Sequence, residues 1–115
     1  MKKDAKVFLD HISQSIDLIE RYTQGQTKDD FLESVDLQDK VIRRLEIIGE
    51  AVKNLPEELK ANHTEIPWRR AAGMRDYLIH QYFGVDLKLT WDVVERDVPE
   101  LKKAIAEMKD DLQAR

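Results

Sequence analysis

Cysteine is absent from the 115 residues. That removes disulfide frameworks, cysteine nucleophiles, iron–sulfur clusters and thiolate-held zinc together, and it fits a reducing cytoplasm. Glycine (4), proline (3) and aromatic residues (7%) are all scarce, whereas an all-β fold needs many turn residues. No apolar run approaches the about 20 residues that span a bilayer. The opening Met1-Lys2-Lys3-Asp4-Ala5-Lys6 is not followed by the apolar stretch of a signal peptide. The expectation is a cytoplasmic protein without a membrane segment. A strong excess of one charge is lacking too: 19 basic and 23 acidic side chains leave a net charge of −4. That balance favours solubility and by itself votes mildly against a polyanionic partner. The charge is uneven, at −3 over residues 1–36, +1 over 37–84 and −2 over 85–115.

What is present is helical periodicity. Phe8, Leu9, Ile12, Ile16 and Ile19 recur at steps of three and four within 4–23, and Gly25 follows as a stop. Thr27 and Asp30 have capping-box spacing before Phe31 and Leu32, which predicts one or two helical turns. Val41, Leu45, Ile48, Val52 and Leu55 form one stripe over 36–55, with Asp36 as candidate N-cap and Pro56 as terminator. Pro56-Glu57-Glu58-Leu59 opens a short helix or turn, and 61–67 reads as a loop. Pro67 suits the first position of a helix over 68–83, closed by Gly84. Leu87, Trp91, Val94, Val98, Leu101, Ile105, Met108 and Leu112 share a seam, interrupted by a second capping signal at Asp97-Val98-Pro99-Glu100. These readings predict one all-α domain over 1–115, an antiparallel bundle of four main helices plus short ones.

The helix over 68–83 combines two things that conflict. Ala71, Ala72, Met74, Tyr77, Leu78, Ile79, Tyr82 and Phe83 make it apolar nearly all round, which predicts burial. Yet it carries Arg75, Asp76 and His80, which are costly in a core unless paired or opened to a cleft. A buried Arg–Asp pair beside a core histidine would satisfy this structurally; a functional site would satisfy it otherwise. Asp76 and His80 are four apart and share a face, as do Arg75 and Tyr82, seven apart. Arg75 and His80 lie about 140° apart around the helix and about 7.5 Å apart along it. One regular helix does not aim both at one atom, but a second copy of the helix in a symmetric dimer would.

Arg75-Asp76-Tyr77-Leu78-Ile79-His80-Gln81-Tyr82 fits R-x4-H-x-Y. With Arg43-Arg44-Leu45-Glu46-Ile47-Ile48-Gly49-Glu50-Ala51, Ile66-Pro67-Trp68-Arg69, Gly73-Met74-Arg75, Tyr82-Phe83-Gly84-Val85-Asp86 and Trp91, the chain resembles the HepT-like (DUF86) toxin branch of the HEPN superfamily. The resemblance runs in order over nearly the whole chain. Members often carry Asn after the arginine, where this chain has Asp76. The resemblance implies a HEPN-like bundle and the toxin of a type II toxin–antitoxin pair, a metal-independent endoribonuclease with no cofactor. It implies a homodimer with the two R-x4-H helices facing each other. It also implies an antitoxin that is a small nucleotidyltransferase and that silences the toxin by transferring AMP onto Tyr82.

The residue chemistry is compatible with that. RNA brings its own nucleophile, the 2′-hydroxyl, so cleavage needs a proton-transfer group near neutrality and a cation for the developing phosphorane charge. His80 suits the first role and Arg75 the second. Asp76 either orients His80 or pairs with Arg69 or Arg75. Tyr82 packs in the core or presents its hydroxyl at the cleft, where AMP would add an anion beside Arg75. Arg43, Arg44, Arg69 and Arg70 either line an RNA groove or are ordinary surface charge. Glu46 and Glu50 are placed to meet Arg69 or Arg75 from the neighbouring helix. Trp68 and Trp91 read as core or dimer-seam anchors. His11, His63 and His80 have no metal-ligand spacing, and the pairs Asp29-Asp30, Glu57-Glu58 and Asp110-Asp111 read as solvated faces. The other function in view is a non-catalytic helical partner of a nucleotidyltransferase subunit, in which Arg75 and His80 are structural or bind a ligand.

Overall fold

The computed structural model describes residues 4–81 and 84–114. Helix α1 (Ala5–Thr23) starts where the Asp4 carboxylate accepts from the Lys6 amide, and it buries Leu9, Ile12, Ile16 and Ile19 on one face. Gly25 turns the chain with φ +74°, a conformation glycine adopts without strain. The predicted capping box forms: Thr27 and Asp30 each bond the other's backbone amide, at 3.1 and 2.9 Å, and open α2 (Lys28–Glu33). Fully buried Phe31 then meets Trp91 with ring centroids 5.2 Å apart.

Helix α3 (Val35–Asn54) follows almost at once. Its N-cap is Ser34, whose hydroxyl accepts from the Leu37 amide at 3.1 Å, and not Asp36. Asp36 falls in the first helical turn, where it pairs with Lys40 and suits the positive helix end. The Gln38 amide group donates to the carbonyls of Phe31 and Leu32, so the free end of α2 is tied to α3. After Pro56 come the short α4 (Glu57–Ala61) and a loop closed by Trp68. The Trp68 indole N–H lies 3.1 and 3.0 Å from the carbonyls of Lys60 and His63. Trp68 is therefore a half-buried loop clasp, and Trp91 is the core anchor.

Helix α5 (Trp68–His80) begins one residue after Pro67, which stands at the N-cap and not at the first helical position. It ends at His80, with Gln81 as its C-cap. The expected extension through Tyr82 and Phe83 falls on residues outside the description. The expected burial of this helix is not observed: only Leu78 is buried, while Ala71, Ala72, Met74 and Tyr77 are half-buried and Ile79 is 39% exposed. The physical reason is position: α5 packs closely on α3, and the side that carries Arg69, Gly73 and His80 is exposed.

The last stretch also departs from expectation. Helix α6 (Leu87–Asp92) has the Asp86 cap and runs through a π-helical turn (Val93–Asp97) into α7 (Val98–Gln113). Asp97 has helical backbone angles and caps nothing; its carboxylate instead bonds Arg70, 2.9 Å away. The extra residue of the π turn shifts the helical register without breaking the chain. Val98, Leu101, Ala104, Ile105 and Met108 stay on the buried face.

The result is an all-α, HEPN-like bundle. Helix α3 lies between α1 and α5, α7 packs on α1, and α2 joins α3 to α6. Among the described residues no helix is long and apolar enough to cross a membrane.

Candidate active site

The α3–α5 seam places Arg75. A Cβ on Gly49 would collide with the Cβ of Arg75 and sit 3.1 Å from the Ala71 carbonyl, so glycine lets the two helices touch at this level. The guanidinium, unable to extend into α3, lies along the surface between two acids. Its Nε is 3.1 Å from Glu50 Oε2 and its Nη1 is 2.9 Å from Asp76 Oδ1. Asp76 is also 3.4 Å from Lys53 Nζ. The hydrogen bond to Asp76, with the charges of Glu50 and Glu46, holds Arg75 above its ordinary pKa. Reciprocally, the bonds from Arg75 and Lys53 hold the Asp76 carboxyl below the usual carboxylate range. A guanidinium has five N–H donors, so the two carboxylates orient this one without consuming it.

Arg75 opens onto a cleft of about 240 Å³ between α1, α3 and α5, whose lining includes His11, Arg43, Glu46, Glu50 and Asn54. The contact expected of Glu50 is made, and Glu46 borders the same space. Of the four accessory arginines only Arg43 lines this cleft. Arg70 is occupied by Asp97, and Arg44 and Arg69 make no ion pair among the described residues.

His80 is exposed one turn beyond Asp76, and its Nδ1 is 2.7 Å from the Asp76 backbone carbonyl. A carbonyl oxygen only accepts, so Nδ1 carries the hydrogen and Nε2 of the neutral ring is left as an acceptor. Of its two expected parts the Asp76 carboxylate takes the pairing with Arg75; it does not meet His80, which bonds the main-chain carbonyl instead. His80 is not among the residues lining the Arg75 cleft, as the 140° separation on one helix requires. Tyr82 lies outside the described residues.

Sequence reasoning passed over His11, Asn54 and the role of Gly49. His11 and Asn54 belong to different helices, and only packing brings them beside Arg75. The Gly49 signal was present as a lone glycine inside a long helical pattern, where its cost needs a packing reason. A larger cavity of about 320 Å³ lies between α3, α5 and the π turn. It is lined mainly by apolar side chains such as Leu45, Met74, Val93 and Leu101, with Arg70 and Asp97 already paired in its wall. Size does not make it the site, because neither Arg75 nor His80 lines it. Among the described residues no three His, Asp or Glu side chains are grouped as metal ligands.

A helical bundle with an R-x4-H motif on α5, the arginine fixed by acids at the seam and the histidine exposed with Nε2 free, defines a protein of HEPN type. A family model described as "Ribonuclease HepT-like" matches residues 12–108, and the chain belongs to this HepT-like family. It is 51% identical to "Probable ribonuclease HepT" of Thermococcus cleftensis, over 89% of this chain and 93% of that one. It is 56% identical, over 97% of its own length, to "Gamma-glutamylcyclotransferase and putative RNase MJ0434" of Methanocaldococcus jannaschii. The chain spans about half (50%) of that second relative's length. No solved structure matches the chain.

Proposed function

We propose that this protein is an endoribonuclease that cuts RNA by internal transphosphorylation, with Arg75 and His80 as its catalytic residues. The observation that carries the reading is the division of labour at Asp76. One residue fixes the guanidinium by its side chain and the imidazole tautomer by its carbonyl. Two groups each fixed in this way need no rearrangement when charge develops. His80 Nε2 accepts the proton of the 2′-hydroxyl, whose oxygen attacks the adjacent phosphorus. The bond to the 5′-oxygen breaks, and a 2′,3′-cyclic phosphate results. Arg75 bears on the phosphoryl oxygens through its remaining donors. Arg43 adds phosphate affinity in the same cleft. Nothing in these steps calls on a metal ion or cofactor, because the nucleophile comes from the RNA.

Arg75 and His80 face different sides of α5, so the catalytic unit is a homodimer in which α5 of a second copy completes each site. The exposed side of α5, with Arg69, Gly73 and His80, leaves room for that second copy. The fuller reading makes the protein the toxin of a toxin–antitoxin pair in the cytoplasm. It is held in check by a nucleotidyltransferase that transfers AMP onto Tyr82, seven residues after Arg75 in the motif. The names of the relatives support the ribonuclease part of this reading.

The test incubates the purified protein with total RNA in EDTA, beside His80→Ala, after intact mass has established an unmodified Tyr82. Discrete fragments from the wild type alone are expected. Silence from both would transfer the function to docking a nucleotidyltransferase, and cleavage that EDTA abolishes would overturn the metal-free route.

A further inference from the structure

Internal transphosphorylation needs two proton transfers: one away from the 2′-hydroxyl and one onto the departing 5′-oxygen. The proposed base, His80, accounts for the first alone. The chain has three imidazoles, and their surroundings separate them sharply. His63 is buried in the α4–α5 loop, with Nδ1 3.3 Å from Glu65 and 3.6 Å from Glu107, and it is spent on structure. His80 has Nδ1 committed to the Asp76 carbonyl. His11 is exposed on α1, its ring nitrogens make no hydrogen bond to any described residue, and it lines the cleft into which Arg75 opens.

We infer that His11 is a second catalytic residue of the ribonuclease, the acid that protonates the 5′-oxygen as the phosphorus–oxygen bond breaks. The inference rests on the ribonuclease reading and adds a residue that lies outside the R-x4-H-x-Y motif. Arg75 and His11 reach one cleft from α5 and α1, with Arg43 beside them on α3. A phosphate held by the two arginines therefore lies within the space that His11 borders. Imidazole is the side chain that gives and takes protons near neutrality without a large perturbation. The balance closes: the proton lost by the 2′-hydroxyl goes to one imidazole, the proton gained by the 5′-oxygen comes from His11, and no further reactant is needed. Asn54 in the same lining cannot substitute, because an amide does not release a proton at these pH values.

The experiment measures cleavage of an oligoribonucleotide from pH 5 to 9 by the wild type, His11→Gln and His80→Gln. Affinity for the same oligonucleotide with 2′-deoxy substitution is measured in parallel. Substitution of an exposed residue leaves folding intact, which thermal unfolding checks. His11→Gln is expected to lose at least about 100-fold in cleavage rate, to bind the uncleavable analogue within about threefold of wild type, and to lose one limb of the pH–rate profile. The double variant should fall little below either single one, since both groups serve one step. A His11→Gln enzyme with the wild-type rate and profile overturns the assignment and leaves the nuclease standing. So does a loss explained wholly by weaker analogue binding. A wild type that cleaves nothing overturns the ribonuclease reading, and this one with it.

Discussion

Arg75 and Asp76 are chain neighbours on α5, where successive side chains diverge by about 100°, yet Arg75 Nη1 lies 2.9 Å from Asp76 Oδ1. The bond forms because α3 is too close for the guanidinium to extend. With Gly49 against its Cβ, the arginine folds back along the surface, with Glu50 at one end and Asp76 at the other. A cation that a single helix would leave mobile is held by its backbone's approach to a second helix.

That geometry separates arginine from lysine. Arg75→Lys keeps the charge, but a point-like ammonium cannot span Glu50 and Asp76 and still offer a planar fork to phosphate. Both Arg75→Lys and Arg75→Ala should lose roughly 10²–10³-fold in cleavage rate. The lysine variant should recover less than about tenfold of that loss. Initial rates on a labelled oligoribonucleotide decide this, and a lysine variant at wild-type rate would contradict the role given to the fork.

Asp76→Asn frees one side of Arg75 from a negative charge. RNA binding should tighten by roughly two- to fivefold, the range that an exposed ion pair carries, and its salt dependence should steepen. The Asp76 carbonyl is untouched by the change, so the hold on His80 persists. Filter binding across a salt series reads the effect, and weaker binding in the variant would refute it.

The same pair sets an acid dependence. Asp76 is held below its ordinary value of 3.8 by its bonds to Arg75 and Lys53. A carboxyl lowered in the folded state contributes stability that is complete above that ordinary value and is lost as pH falls through the lower folded value. The stability difference between the wild type and Asp76→Asn should therefore be level from neutrality down to about pH 5 and shrink only below about pH 4. Urea midpoints at stepped pH measure it, and a difference that already collapses near pH 6 would implicate another group.

Gly49→Ala should destabilise the fold by about 1–3 kcal/mol, the usual cost of forcing a methyl group into a packed seam. On an uncrowded helix the same change would stabilise by removing a glycine. Gly73 in α5 offers that control, since nothing lies within 4 Å of its Cβ position. Gly73→Ala should be neutral or slightly stabilising. Equal midpoints for the two variants would show that the seam is looser than described.

Phe31→Ala should cost about 3–5 kcal/mol. The ring is fully buried against Trp91 and is the buried side chain of a helix of six residues (Lys28–Glu33). Thr27→Ala at the capping box should cost about 1 kcal/mol. Thermal unfolding of the two variants should preserve that order.

Much of the architecture was legible because each amphipathic stripe prescribes its own burial. The faces of α1, α3 and α7 follow the three- and four-residue spacing, and the Thr27–Asp30 box forms as its spacing demands. The R-x4-H-x-Y motif singled out α5, and the 140° between Arg75 and His80 was already fixed by helical geometry. Local signals failed where two of them competed or where neighbours decided. Ser34 outcompeted Asp36 for the α3 cap. Asp97 looked like a cap, but a π turn carried the helix past it and left its carboxylate to Arg70. Helix α5 looked buried by composition, while packing left the side with Arg69, Gly73 and His80 exposed.

The sequence by itself determined which segments are helical, which faces of α1, α3 and α7 turn inward and which residues bear the family's motif, because those depend on neighbours within one or two turns. Only the tertiary structure decided that Gly49 would press against Arg75, that Glu50 would hold the guanidinium, and that His11 would stand in the same cleft. Those contacts join residues from 25 to 64 positions apart, and no local periodicity encodes the distance between two helices.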